Sequence, residues 1–550
     1  MRTSSAARID AMTRAGLWGG QTLHGLLTAN AQAVPDREAV VDPPNKDELV
    51  GLAPRRLTFR DLEQASSACA AALAARGVGA GDAVLLQLPN TSELIVLYYA
   101  LSRLGAVISP AAVQYGEHEL RRFRAEIDPV ACITVTSLRG QPLAAVARRV
   151  FDSVWDVADD LDVFGAMGGA VPDAGDADAV LTVAWTSGTT GTPKGVPRSH
   201  NMWIAQGKSV SHAAGFRDGE RLLSPFPMIN MAALGGFLFP AALHRCTLVL
   251  HHPLDVPLYL AQLQDERIQF TLAPPPLLNR LAQQPDLWRQ FDYGELRCIG
   301  SGSVPLSPDM IRTFEEEFGK PIINFYGSNE GIGLISTPDN TPDPAHRASL
   351  FPRLGAADTD FASYAPGALH TRIDDPDTGV VITEAGVAGE LCIAGPGVID
   401  GYLGHDGEGV LTEDGWFRTG DLVEIAPEQP SHYRIVGRCK DIINRGGVKL
   451  SPSEIDAQLE GFPGLAEAAV CAVADADLGE RVCACVVPLA GEGPPTLEAL
   501  REHLAARGLA RFKLPEQLEV LEALPRNPLG KVVRGDLQAQ VQERIQARTG

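Results

Sequence analysis

Residues 57–150 alternate stretches apolar at helical spacing with short apolar runs, and that rhythm restricts the segment to a parallel sheet with helices packed on it. LTFRDLEQASSACAAALAARG predicts an amphipathic helix ending at Gly77, with Asp61 in its first turns. GDAVLLQLPN predicts a buried strand, TSELIVLYYALSRLG a helix and AVISP a strand. The rhythm returns over 221–335, where CTLVLH, FTLAP, LRCIGSG and PIINFYG are strand-like. Beyond about residue 345 Gly, Pro and Asp become frequent, and GELCIAG and WFRTGDLVEIA signal a β-rich subdomain. GRCKDIINRGGVKLSPSEID reads as a joint. After it, SEIDAQLEGF and TLEALREHLAARG (helices) and AEAAVCAVAD, RVCACVVPL and EQLEVLEAL (strands) make a compact α+β unit of ordinary domain size.

A chain of 550 residues exceeds what one core serves, so two or more domains are expected. The formal net charge of -21 disfavours non-specific binding to nucleic acid, yet leaves room for a local basic pocket. The nine cysteines are odd in number, scattered and without a C-x-x-C pair, which argues against a disulfide framework or a zinc site and fits a reducing cytoplasm. Cys483 and Cys485 alternate with Val and Ala and read as small apolar residues on one strand face. No apolar run reaches the ~18 residues of a membrane span. The opening residues, with Arg2, Arg8 and Arg14, read as a frayed terminus rather than a transit peptide.

The strongest chemical signal is Thr186-Ser187-Gly188-Thr189-Thr190-Gly191-Thr192-Pro193-Lys194-Gly195, after the strand-like AVLTVAW. Its glycines let the backbone approach a polyanion, its hydroxyls and N–H groups can donate to phosphate oxygens, and Lys194 adds positive charge. G-x-x-x-x-G-K-[ST] is not matched, so this is not a Walker loop.

TSGTTGTPKGV resembles the phosphate-loop signature of the adenylate-forming superfamily of acyl-CoA synthetases and aryl-acid ligases. Further motifs follow in the family's order from about residue 20 to 535. The resemblance implies a large N-terminal domain of doubly wound sheets with a β-rich subdomain (1–438), a hinge (439–441) and a small mobile α+β domain (442–550). In NFYGSNE it implies that Glu330 holds magnesium, which answers why a carboxylate should stand beside a phosphate loop. Asn329 stands where Thr is usual, its amide still able to donate to the α-phosphate. By the same resemblance Ser301, Gly302, Ser303 and Val304 lie against adenine, Tyr326 stacks on the base with Asn324 and Gly327 near it, and Asp421 accepts both ribose hydroxyls with Arg438 beside it. Lys440 is the implied pivot, Gly446 and Gly447 line a thiol tunnel, and Lys531 in PRNPLGK is the implied catalytic lysine, acting with Lys194 and Glu330.

PMINMAALGG resembles the segment lining the acid pocket, with Asn230, Met231, Leu234 and Gly235 facing the acid and Ser301 and Gly331 on other sides. Ligases for hydroxylated benzoates carry Asn where Met231 stands, which argues against a dihydroxybenzoate, although AGLWGGQTL resembles their opening. No Asp in these segments is placed to meet an amino group. The expected substrate is an uncharged-bodied acid, cyclic or medium-chain, with Gly331-Ile332-Gly333 adding room. The implied activity is a cytoplasmic, ATP- and Mg2+-dependent acid–CoA ligase that forms an acyl-adenylate and then a thioester. Transfer to a carrier-protein phosphopantetheine is the alternative. A third reading, an inactive nucleotide-binding protein, is motivated by Asn329 and Asn230. A homodimer is left open.

Overall fold

The computed structural model describes residues 1–165, 173–186, 194–302, 306–404, 409–446, 448–475, 478–526 and 532–549. They form two units. Met1–Thr186, Lys194–Thr371 and Ile393–Phe417 make the first; Arg372–Cys392 and the described residues from Arg418 onward belong to the second.

The first unit contains two sheets. In one the strands lie in the order Val154–Asp156, Ala131–Thr134, Ala83–Gln87, Val107–Pro110, Val180–Trp185 and Gly195–Ser199, parallel except for the last. In the other the order is Gly331–Ser336, Ile322–Ser328, Cys298–Gly302, Phe270–Leu272, Arg221–Ser224, Thr247–Leu250, Glu38–Val41 and Arg56–Thr58, with antiparallel pairs only at its two edges.

Helices Phe59–Ala75, Ser92–Leu104 and His200–Ala214 lie between the sheets. Their Leu62, Cys69, Leu97 and Trp203 share one core with Val84, Leu86 and Ile108 of one sheet and Val40, Leu222 and Leu248 of the other. The alternation of strand side chains sends Val41, Leu223 and Val249 to the opposite face, against Leu278 and Phe314 of outer helices. Thr58 and Asp61 form a capping box that fixes the start of the helix read at that place in the sequence. The parallel α/β architecture therefore follows from the strand–helix rhythm.

The first residues are not frayed. Ser5 caps the helix Ala6–Arg14. Arg8 pairs with Asp400 and donates through Nη2 to the Gly395 and Val398 carbonyls, at 2.9 and 2.6 Å. Trp18 Nε1 reaches the Pro396 carbonyl at 3.0 Å. Arg8, in the segment expected to be frayed, thus anchors the terminus to the body of its unit.

In the second unit Phe417–Ile425 pairs antiparallel with His432–Arg438. Its C-terminal sheet runs Leu465–Asp475 against Gly479–Pro488, with Gln517–Val520 parallel on the latter's other side and Ile443–Arg445 and Val448–Leu450 completing it. Helices Pro452–Leu459 and Leu497–Ala506 cover one face through Ile455, Leu459, Leu500 and Leu504. Helix Arg534–Thr549 covers the other through Leu537 and Val541.

Candidate functional site

Val180–Trp185 and Gly195–Ser199 pair with Trp185 opposite Gly195. Just beyond that register, the Thr186 N–H donates to the Lys194 carbonyl at 3.1 Å and the Lys194 N–H to Thr186 Oγ1 at 3.4 Å. Thr186 and Lys194 are thus tied across the base of the phosphate loop. Ser187, Gly188, Thr189, Thr190 and Gly191 lie outside the described residues.

Gly195 is glycine because a Cβ there would meet Val183 Cγ1 at 2.9 Å and Leu403 Cβ at 3.1 Å. The Leu403 N–H donates to the Gly195 carbonyl at 2.9 Å, which brings Tyr402 alongside. The Lys194 ammonium lies 4.5 Å from the Tyr402 ring centroid. The Tyr402 hydroxyl donates to Glu330 Oε1 at 2.8 Å. One aromatic side chain, which sequence reasoning did not single out, therefore links the implied phosphate lysine to the implied metal carboxylate.

The turn before Glu330 is held by Arg198, another residue the motifs did not name. Its guanidinium is fully buried and donates to the carbonyls of Asn329 (2.9 Å), Gly397 (2.8 Å) and Met202 (3.2 Å), and it lies 4.5 Å from the Trp203 ring centroid. Burial pushes its pKa down to about 9, opposed by the charge of Glu330. An arginine inside an otherwise small and apolar strand was the available signal.

Asn329 faces the acid segment. Its Oδ1 accepts from the Met231 N–H at 2.9 Å, and its Nδ2 points toward the Trp185 carbonyl at 3.5 Å, next to the base of the phosphate loop. Asn230, expected to face the acid, caps the short helix Met231–Ala233 through its side chain. A π-helical turn follows at Leu234–Leu238, a distortion often found at functional sites. The glycines expected to add room are closely filled. A Cβ on Gly235 would meet Gln206 Cγ at 2.8 Å and Met231 Sδ at 2.9 Å, one on Gly331 Val398 Cα at 2.9 Å, and one on Gly333 the Tyr326 carbonyl at 2.5 Å.

Ser301 and Asn324 are register partners on adjacent parallel strands, with Ser301 at the C-terminal end of its own, the end at which open α/β sheets bind ligands. Ser301 Oγ donates to the Ala273 carbonyl at 2.8 Å. The Asn324 amide donates to the Arg347 and Ala348 carbonyls at 2.9 and 3.1 Å, so it holds the helix Pro344–Ser349. Gly302 accommodates the Phe325 carbonyl, which would lie 2.0 Å from a Cβ. The Tyr326 ring is half-buried, 5.9 Å from Phe351, and Gly327 is exposed. Ser303 and Val304 lie outside the described residues.

The second unit carries the implied ribose pair. Asp421 and Arg438 are cross-strand partners, and Arg438 Nε donates to Asp421 Oδ1 at 2.6 Å. Lys440 is exposed, and Gly446 adopts a left-handed backbone with φ 57°. Gly447 and Lys531 lie outside the described residues.

Glu330 is half-buried and shares one oxygen with Tyr402. A single hard carboxylate fits magnesium, which retains several waters and takes one or two carboxylates with substrate phosphates.

The model of the AMP-binding enzyme family matches residues 27–403, and that of the AMP-binding enzyme C-terminal domain matches residues 454–531. The chain belongs to the AMP-binding enzyme family. This AMP-binding enzyme is similar to triostin synthetase I of Streptomyces triostinicus, 31% identical over 543 residues that cover 96% of each chain. It is similar to feruloyl-CoA synthase of Amycolatopsis, 28% identical over 492 residues, 88% of this chain and 93% of that one. Its structure is similar to that of ATP-bound MatB from Rhodopseudomonas palustris, with a TM-score of 0.77 and 26% identity over 95% of this chain and 99% of the other. It is an AMP-forming ligase of the adenylate-forming superfamily. Among the described residues no helix is long and apolar enough to cross a membrane.

Proposed function

We propose that this enzyme joins a carboxylic acid to the thiol of CoA at the expense of ATP, through an acyl-adenylate, releasing pyrophosphate and AMP. The observation that carries the proposal is the connected path from Lys194 through Tyr402 to Glu330, with Asn329 tied to Met231 of the acid segment. It gathers a cation for phosphate, a carboxylate for a metal and the acid-facing backbone within one unit.

In the first step an oxygen of the substrate carboxylate forms a bond to the α-phosphorus. The bond to the bridging oxygen of the β-phosphate breaks, and pyrophosphate leaves with the electron pair. No protein nucleophile is needed; positioning and charge carry the catalysis. Lys194 offsets phosphate charge. Glu330 would hold magnesium, which when bound neutralises phosphate oxygens. Asp421 and Arg438 take the ribose, and Tyr326 the base. Lys531 neutralises charge as it moves between the carboxylate and the α-phosphate. In the second step the thiol sulfur bonds to the acyl carbon, AMP departs, and the thiol proton passes to solvent. Residues 1–438 act as the adenylation domain and 442–550 as the mobile domain, swinging about Lys440 so that Gly446 and Gly447 line the thiol path.

An uncharged-bodied acid, cyclic or medium-chain, fits the Met231–Gly235 segment, and the similarity to a feruloyl-CoA synthase supports an aromatic one. Carrier-bound phosphopantetheine is the second acceptor to test, motivated by the similarity to triostin synthetase I. The test is acid-dependent exchange of labelled pyrophosphate into ATP over aromatic, alicyclic and medium-chain acids, followed by thioester formation with free CoA or a carrier domain. Exchange with one acid class and thioester with CoA are expected. Failure of exchange across the panel would leave an inactive nucleotide-binding protein.

A further inference from the structure

Three cysteines that are scattered in the sequence meet in the second unit. Leu465–Asp475 and Gly479–Pro488 pair with Cys471 opposite Cys483 and Ala469 opposite Cys485. The two-residue repeat of a strand turns all three cysteines to the face covered by helix Arg534–Thr549. Each is fully buried, and their sulfurs lie within 4.8 Å of one another, with Cys471 and Cys485 at 3.7 Å. All are free thiols.

A second observation lies beside them. On the neighbouring parallel strand Glu519 is the register partner of Cys485. It is 1% exposed. Its Oε1 accepts from Arg548 at 2.8 Å, while its Oε2 is buried without a hydrogen-bond partner among the described residues. An unsatisfied buried carboxylate oxygen costs free energy and calls for a partner that apolar packing does not supply.

We propose that Cys471, Cys483 and Cys485, with Glu519 as a fourth, oxygen donor, form a structural zinc site. Zinc takes four ligands in a tetrahedron, with zinc–sulfur bonds of about 2.3 Å, which places ligand sulfurs about 3.8 Å apart. The 3.7 Å contact already has that spacing. Soft thiolates with a carboxylate select zinc over magnesium or calcium. Three thiolates and a carboxylate carry more negative charge than the ion offsets, and the covering helix brings an arginine. Arg548 pairs with Glu519 at 2.8 Å. The site would staple two core strands to a third under the last helix, with loading coupled to the folding of this unit.

The test uses the full-length chain expressed in medium supplemented with zinc or with cobalt and purified under reducing conditions. The expected result is one tightly held ion per chain. The cobalt form should show sulfur-to-metal charge-transfer absorption and the intense visible bands of tetrahedral coordination. Cys471→Ala and Cys485→Ala keep a small apolar side chain in the core and should each weaken zinc at least 100-fold against a competing chelator, and Glu519→Gln about tenfold. Substoichiometric zinc, a cobalt spectrum without thiolate bands, or unchanged affinity in the Cys471→Ala, Cys485→Ala double variant would overturn the proposal. The cobalt spectrum of the unmutated chain decides the matter if a variant does not fold.

Discussion

Asn329 Oδ1 accepts a hydrogen bond from the Met231 backbone N–H at 2.9 Å, so the residue preceding the implied metal carboxylate holds the start of the segment proposed to face the acid. Removing it should loosen the acid more than the nucleotide. Asn329→Ala should raise the KM for the acid roughly fivefold, the equivalent of about 1 kcal/mol for one hydrogen bond, with a smaller change in the KM for ATP. Steady-state pyrophosphate exchange with each substrate varied in turn measures both; a larger effect on ATP would place the asparagine amide on phosphate instead.

Tyr402 does two separable things: its ring meets Lys194 and its hydroxyl meets Glu330. Tyr402→Phe keeps the first and should raise the magnesium concentration for half-maximal rate with about a threefold loss of rate, near 0.7 kcal/mol. Tyr402→Ala loses both and should cost at least tenfold in kcat/KM for ATP. Equal losses in the two variants would show that the cation–aromatic contact contributes nothing.

Asp421 is held by Arg438 at 2.6 Å and is the proposed acceptor for the ribose hydroxyls. Asp421→Asn should lower kcat/KM for ATP about 30- to 100-fold, the range for losing charge-assisted hydrogen bonds of about 2–3 kcal/mol. The unmutated enzyme should prefer ATP over 2′-deoxy-ATP, and the variant should lose most of that preference. Competition between the two nucleotides reads this directly.

His200 is buried, and its Nδ1 accepts from the Leu23 N–H at 3.1 Å, which requires an unprotonated nitrogen. Burial lowers its pKa from 6.5 to about 3. The unfolded chain therefore binds a proton that the folded chain refuses between those values, and stability falls as pH drops below 6.5. By pH 5 this one group should remove about 2 kcal/mol. His252, lowered by burial to about 4, adds in the same direction. Denaturant unfolding at pH 7 and pH 5 should show the loss, and His200→Gln should reduce it by about 2 kcal/mol.

Lys531→Ala should lower acid-dependent pyrophosphate exchange by at least 100-fold, while thioester formation from preformed acyl-adenylate and CoA stays within a few-fold of the unmutated rate. Undiminished exchange would remove the lysine from the adenylation step and overturn the proposed division of labour between the two halves of the cycle.

The parallel sheets were legible because their strands are apolar runs separated by helical periods, and Asp61 marked the first turns of a helix. The phosphate loop was legible because glycines, hydroxyls and one lysine have few other reasons to stand together. Arg198 left only the mark of a charge in a small apolar strand. Tyr402 was not legible, since its stretch is ordinary in composition and its role arises from the Leu403–Gly195 hydrogen bond. The cysteine cluster was hidden for the same reason. Spacing along the chain separates Cys471 from Cys483 by a turn, and only the antiparallel ladder sets them side by side. The N-terminal arginines misled because charge density at a chain end says nothing of the carboxylate, here Asp400, waiting elsewhere in the fold.

Lys194 lies just beyond the last rung of a β-ladder, where two hydrogen bonds of its backbone tie it to Thr186. Its coordinates are consequently dictated by backbone pairing and by the tyrosine beneath it. Lengthening the stretch between the two residues by an amino acid would change how phosphate is wrapped without displacing the ammonium. On the proposed function, charge neutralisation and phosphate enclosure are therefore separately adjustable.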